Sequence, residues 1–233
     1  MWQRRRGSLL AGLLTLLLVV IPPPIPVVGQ QEAVPIPAGT ILLTDDFADP
    51  SSGWDVSTHS GGRSGYDNGE YRVVAEPHGV GVRFGYRDEV ARDFVVEVDG
   101  RLPGGGANEA LYLGVRFKST IGGAPGGYVR LVVAPVQGRA AIGLNTWNGS
   151  SWSSQRLAEV NDHPAIRRGS EVNRLGFKVR GNTFVAYTND QEILRAQDDT
   201  YPEGGFTLGV IGPQGATTEA RFDNLLVREV VGE

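Results

Sequence analysis

The chain has 233 residues, among them 33 Gly and 14 Pro, with 8% aromatics and no Cys. The missing Cys excludes disulfides, thiolate metal sites, a cysteine nucleophile and a lipid-modified cysteine, while the length suffices for one large domain whose core needs no staple. A net charge of -4, from 22 basic and 26 acidic residues, argues against nucleic acid, whose phosphates are held by clustered Lys and Arg.

Residues 1–29 have the shape of a secretory signal: Arg4, Arg5 and Arg6 precede an uncharged run from Leu9 to Ile21. That run is 13 residues long, short of the roughly 20 that a spanning helix needs, and Pro22, Pro23 and Pro24 break it. Cleavage before Gln30 is expected, with a retained amino-terminal anchor as the alternative. The expected location is therefore secreted or extracellular, or the outer face of a membrane if the leader stays. Removing the three leader arginines from 22 basic residues leaves 19 against 26 acids, a net of about -7. An anionic polymer is thus an unfavourable partner as well.

Residues 30–39, with Pro35 and Pro37, form an extended spacer. Residues 40–230 read as a single β domain. Strands are predicted at Thr40–Asp46, Glu70–Ala75, Val80–Tyr86, Phe94–Leu102, Leu111–Lys118, Tyr128–Ala134, Arg139–Trp147 and Trp152–Ala158. A meander follows from Asn173 to Leu194, then strands at Gly205–Ile211 and Ala220–Val230. Between them lie turn formers such as Asp67-Asn68-Gly69 and Gly122 to Gly127.

The meander is the clearest signal. Gly181-Asn182 is a two-residue hairpin connection, and it sets Val179 opposite Phe184, Phe177 opposite Ala186 and Leu175 opposite Thr188. All six fall on one face, while Lys178, Val185 and Tyr187 fall on the other. The next turn, at Asn189-Asp190, closes with two residues or three, placing either Ile193 or Leu194 in the core; the sequence leaves both open.

Alternation also aligns Phe94, Val96 and Val98; Leu111, Leu113, Val115 and Phe117; Val129, Leu131 and Val133; and Phe206, Leu208 and Val210. About a dozen antiparallel strands, each apolar on one side, must pack as two sheets face to face. The fold class is all-β, a two-sheet antiparallel jelly-roll sandwich.

Asp45-Asp46-Phe47, Ser51-Ser52-Gly53-Trp54, Asp67 to Arg72, Asp93 to Val98, Ala165-Ile166-Arg167, Asn173-Arg174-Leu175 and Phe222 to Val227 together resemble the concanavalin A-like jelly-roll modules. More narrowly they resemble the extracellular, laminin-G-like branch related to the 3-keto-disaccharide hydrolase domain. The resemblance implies a bent sandwich whose concave face often meets glycans, with first and last strands side by side. Its members act as lectin-like modules, as glycosidases or as domains without a known ligand, so the motifs identify fold better than activity.

Two departures from the enzymatic relatives stand out. Where they resemble one another at Asn-Ser-Gly, this chain has Asn108-Glu109-Ala110. Laminarinase-type glycosidases carry Glu-x-Asp-x-x-Glu, and here Glu97-Val98-Asp99-Gly100-Arg101-Leu102 puts Leu at the second catalytic Glu. Retaining hydrolysis needs two carboxyl groups roughly 5 Å apart, so Glu97, Asp99 and Glu109 are weak catalytic candidates.

The polar sides of the strands supply ligand-binding candidates: Tyr112, Arg116, Tyr128, Arg130, Lys178 and Tyr187. If their strands shared a sheet with Glu97, Asp99 and Arg101, carboxylates, guanidinium groups and rings would form a sugar-binding surface. The bland alternative is a solvated face stitched by cross-strand ion pairs. Trp147 and Trp152 flank a four-residue loop and should oppose each other at a hairpin tip, either to stack on a sugar or to hold the hairpin. Trp54 reads as a core plug.

Asp45, Asp46, Asp223 and Asn224 would meet if the first and last strands pair, as candidates for a structural Ca²⁺ or simply as turn formers. No other cofactor is expected, and His59, His78 and His163 read as loop residues. The function expected is an exported, non-catalytic module that binds a glycan or another cell-surface component, touching a membrane only through an uncleaved leader. The alternatives are a glycoside hydrolase acting on 3-keto or ordinary disaccharides, and a structural extracellular spacer.

Overall fold

The computed structural model describes residues 39–77, 82–118 and 126–231, with backbone alone at 82–86 and 88–90. The expected leader, nearly all of the spacer and His78 lie outside these residues. The described chain forms fifteen strands: β1 (Ile41–Asp45), β2 (Ser57–His59), β3 (Gly62–Asp67), β4 (Glu70–Ala75), β5 (Val82–Ala91), β6 (Phe94–Arg101), β7 (Ala110–Lys118), β8 (Gly126–Ala134), β9 (Arg139–Trp147), β10 (Trp152–Val160), β11 (Asn173–Arg180), β12 (Thr183–Thr188), β13 (Gln191–Gln197), β14 (Gly204–Ile211) and β15 (Thr218–Glu229).

They build two antiparallel sheets. One has nine strands, in the order β13-β12-β11-β6-β15-β4-β3-β2 with β1 alongside β15; the other has six, in the order β10-β9-β8-β7-β14-β5. First and last strands are neighbours, Thr44 opposite Leu226 and Asp45 opposite Leu225. Phe94, Val96 and Val98 from one sheet and Leu111, Leu113, Val115, Phe206 and Leu208 from the other are sealed between them. The result is the jelly-roll sandwich that the alternation predicted.

The meander has the expected register at all three pairs. Asn189 and Asp190 both hold positive φ, 50° and 65°, so the second turn closes with two residues. A bulge between Ala186 and Tyr187 then adds one residue on the β13 side. Ile193 is consequently buried, and Leu194 packs against the core from a partly covered position.

The family-like motifs fasten loops. Asp45 accepts from the Phe47 amide at 2.9 Å, Ser52 Oγ at 2.6 Å and Trp54 Nε1 at 3.1 Å, while Phe47, Trp54 and Tyr71 pack ring on ring. Trp54 is thus the core plug expected. Asn173, fully buried, accepts from the Arg167 amide and donates to the Arg167 carbonyl, pinning the loop that leads into β11. A buried amide with both ends satisfied fixes a crossing without a regular ladder.

One strand breaks its own alternation. β7 bulges between Val115 and Lys118, and Arg116 takes a φ of 54°. The bulge shifts the phase of every later side chain. Arg116, expected on the polar face with Tyr112, turns inward and is 1% exposed. Phe117, expected in the core, turns outward and packs with Tyr112 and Tyr128. Gly204 of β14 faces this bulge, where a Cβ would lie 2.4 Å from the Phe117 carbonyl oxygen.

Candidate functional site

The expected single polar face is divided between two sheets. Tyr112, Tyr128, Arg130, Trp147 and Trp152 stand on strands of the six-stranded sheet. Glu97, Asp99, Arg101, Lys178 and Tyr187 stand on strands of the nine-stranded one. The two sets cannot form one surface.

On the six-stranded sheet the outward side chains make an aromatic row. Trp147 pairs with Trp152 across the β9–β10 hairpin, their centroids 5.6 Å apart. Trp152 meets Tyr128 edge-on at 6.0 Å, and Tyr128 stacks on Tyr112 at 6.1 Å. A ladder of hydrogen bonds runs beside the rings. Asn145 Nδ2 donates to Tyr128 Oη at 2.9 Å, Ser154 Oγ donates to Asn145 Oδ1 at 2.9 Å and Arg130 donates to Ser154 Oγ at 3.3 Å. Gly114 gives Tyr128 its place, since a Cβ there would come within 3.1 Å of that ring.

Exposure grades along this row. Trp152 is 46% exposed, whereas Tyr112 is fully buried and Tyr128 nearly so. Tyr112 is therefore a floor beneath Arg130, whose guanidinium carbon lies 5.9 Å from the ring centre, and not the exposed contact expected. Asn145 and Ser154 were missed by sequence reasoning, although each sits two residues from a Trp on the same strand and so shares its face.

Arg116 does not reach this surface at all. It donates to the carbonyls of Tyr201, Arg92 and Gly181 at 3.0, 3.0 and 2.5 Å and lies over the Phe184 ring. Burial pushes its pKa down, partly countered by Asp93, whose carboxylate is 3.7 Å away. It is a clamp on three loops.

The outer face of the nine-stranded sheet is an ion-pair lattice. Arg174 bonds Asp99 at 3.1 Å and approaches Glu97 at 3.5 Å, and Arg228 also pairs with Glu97. Arg221 reaches Asp67, Glu70 and Glu219, Arg101 reaches Glu70 and Arg72 reaches Glu219. Burial alone would raise the Glu219 pKa, but the bonds from Arg72 and Arg221 carry it below the usual range. Burial, with the carboxylates of Glu70, Asp99 and Asp46, raises that of Asp223. Glu97 and Asp99 are thus spent as acceptors, and Leu102 is sealed in the core. Glu109 stands apart and accepts from the Gly106 amide at 2.8 Å.

Asp45, Asp46 and Asn224 line a groove of about 630 Å³ with Asp49, Ser52 and Arg174. The Asp45 carboxylate is committed to the Trp54 turn, and Asn224 Nδ2 donates to Asp99 at 3.1 Å. No group of three His, Cys, Asp or Glu among the described residues is placed to hold a metal. His59, expected in a loop, instead ends β2, and its Nδ1 accepts from the Gly61 amide of the turn that follows; His163 lies in a loop as expected, its Nδ1 accepting from the Ala165 amide.

The two sheets, their order and the paired end strands define a concanavalin A-like, galectin-like jelly roll. Solved structures share it. The carbohydrate-binding module CBM66 from Bacillus subtilis superposes with a TM-score of 0.54 at 17% identity, over 76% of this chain and 96% of that one. A Bacillus subtilis protein of unknown function with a galectin-like fold gives 0.60 at 13%, over 84% and 99%. The Bacillus licheniformis β-glucanase gives 0.57 at 10%, over 82% and 99%. At these identities the likeness is one of fold. The 3-keto-alpha-glucoside-1,2-lyase-like domain matches residues 42–228, and the chain belongs to that family. No curated protein matches the sequence.

Proposed function

We propose that the protein is an exported, non-catalytic module that binds a neutral glycan on the outer face of the six-stranded sheet. The observation that carries this reading is the row Trp147, Trp152, Tyr128, open at its Trp152 end and flanked by Arg130, Asn145 and Ser154. Sugar rings stack on indoles through their apolar faces while hydroxyls take hydrogen bonds from forked side chains. A carbohydrate-binding module among the structural neighbours supports the reading, and the leader supports export. The reading calls for no cofactor. Retention of the purified protein on insoluble polysaccharides tests it: Trp152→Ala should weaken retention at least tenfold, and unchanged retention would refute it.

The family's description favours a second reading, catalysis on 3-keto or ordinary disaccharides, with Glu97, Asp99 and Glu109 as the available acids. Arg174 and Arg228 hold Glu97 in ion pairs, Asp99 stands on the sheet opposite the aromatic row, and the Glu109 carboxylate is bonded to the Gly106 amide. Release of reducing sugar that disappears in Glu97→Gln would establish the enzyme. With neither retention nor release, the protein is a spacer.

A further inference from the structure

On the outer face of the nine-stranded sheet, away from the aromatic row, the side chains of strands β11, β12 and β13 line a half-open cavity of about 250 Å³. It is lined by Lys178, Arg180, Thr183, Val185, Tyr187 and Arg195. Lys178 stands opposite Val185, and Val185 opposite Arg195. Neighbouring strands lie about 4.8 Å apart, so the two cations stand on either side of the buried Val185 floor. Thr183 pairs with Arg180 one step along the hairpin.

Most cations on this sheet are consumed by carboxylates, as Arg221, Arg101, Arg72, Arg174 and Arg228 are. Lys178 differs. It is one of only two lysines in the chain, and among the described residues its ammonium makes no hydrogen bond or ion pair. The Tyr187 hydroxyl and Thr183 Oγ1 are likewise without a hydrogen bond among the described residues. Glu192, the acid beside the cavity, is fully engaged by the Arg195 guanidinium through two bonds. That engagement leaves Arg195 oriented and Lys178 uncompensated. A partly covered cation next to an apolar floor gains more from an anion than one in open water, because the local dielectric is lower.

We propose that this cavity binds the oxyanion of an acidic glycan, the carboxylate of a uronic acid or the ester of a sulfated sugar. Lys178 would hold its oxygens, with Arg195, already paired to Glu192, beside it; Tyr187 and Thr183 would donate to it, and Val185 would take the apolar side of the ring. The volume lies below the roughly 300–1,000 Å³ of drug-sized pockets, which suits one charged sugar and not a long oligomer. The site is independent of the aromatic row, so the protein would hold neutral and acidic sugars on opposite faces. It also qualifies the expectation from net charge, since this patch is basic within an acidic chain.

The test is calorimetric titration with a uronate trisaccharide and its neutral counterpart at low and high salt. The uronate should bind at least tenfold more tightly, the difference should shrink as salt rises, and Lys178→Glu should erase it. Lys178→Met keeps the aliphatic stem, and a thermal melt matching the parent's separates loss of binding from loss of fold. Trp152→Ala should leave the uronate signal intact, so failure of this site and failure of the aromatic row are read separately. Equal binding of the two trisaccharides would overturn the proposal. So would indifference to Lys178→Glu, inorganic sulfate binding as tightly as the uronate, or capture by phosphatidylserine vesicles without uronate binding.

Discussion

The two outward faces solve the same problem with opposite chemistry. The nine-stranded sheet covers itself with Arg and carboxylates that satisfy one another across strands, while the six-stranded sheet carries a row of rings, open at Trp152, beside a short hydrogen-bond ladder. Cross-strand ion pairs at a surface each contribute little, because solvent screens them and side-chain freedom is lost. They keep the face wet and leave few groups over for a ligand. The aromatic face is packed ring on ring as far as Trp152, which stays exposed. A carboxylate pair in the sequence therefore says less about function than whether an Arg already occupies it.

The largest effect should come from the clamp at the end of the sandwich. Arg116→Met leaves three carbonyls without their donor and should cost about 3–5 kcal/mol, as loss of one partner from a buried charged cluster does; urea denaturation measures it. A midpoint near that of the parent would show that the loops are held otherwise. Next, Trp152→Ala should weaken polysaccharide retention tenfold or more, about 1.4 kcal/mol, and leave the melting temperature almost unchanged. A large drop in stability with retention intact would make the indole pair a hairpin staple.

Smaller effects should mark the ionic face. Arg221→Gln should cost about 1 kcal/mol or less, most of it gone in high salt. Its pH signature follows from Glu219. A carboxylate whose folded pKa is lowered adds stability above its unfolded value, about 4.3, and loses it as pH falls through the lower folded value. Acid titration of stability should thus be shallower in Arg221→Gln. Asp223 has the opposite sign, because its folded pKa is raised: its contribution is present below about 3.9 and lost as pH rises through the folded value. Asp223→Asn keeps the acceptor for the Asn224 amide and should raise stability by a few tenths of a kcal/mol at pH 7, with no gain at pH 3.

Much of the fold was legible because period-two alternation with tight turns reports a half-buried strand directly. The pairing of Val179 with Phe184 could be read from Gly181-Asn182 alone. β2 and β3 were missed for a physical reason: Ser57–His59 and Gly62–Asp67 carry almost no apolar residues, and they are strands because β4 offers hydrogen bonds to β3 and β3 in turn to β2. The site was less legible. Alternation fixes which side of a strand a residue takes, but not which sheet the strand joins, so Lys178 and Arg130 were grouped together. Nor does it announce a bulge, and one extra residue in β7 exchanged the fates of Arg116 and Phe117.

The clasp of β1 on β15 also has a mechanical meaning. Glu229 donates its amide to the Thr40 carbonyl at 2.9 Å, so both ends of the domain emerge at one corner. Tension applied between them would load these rungs one after another, as a zip opens, instead of shearing them all together. The first strand should peel away under modest force while the sandwich behind it stays shut.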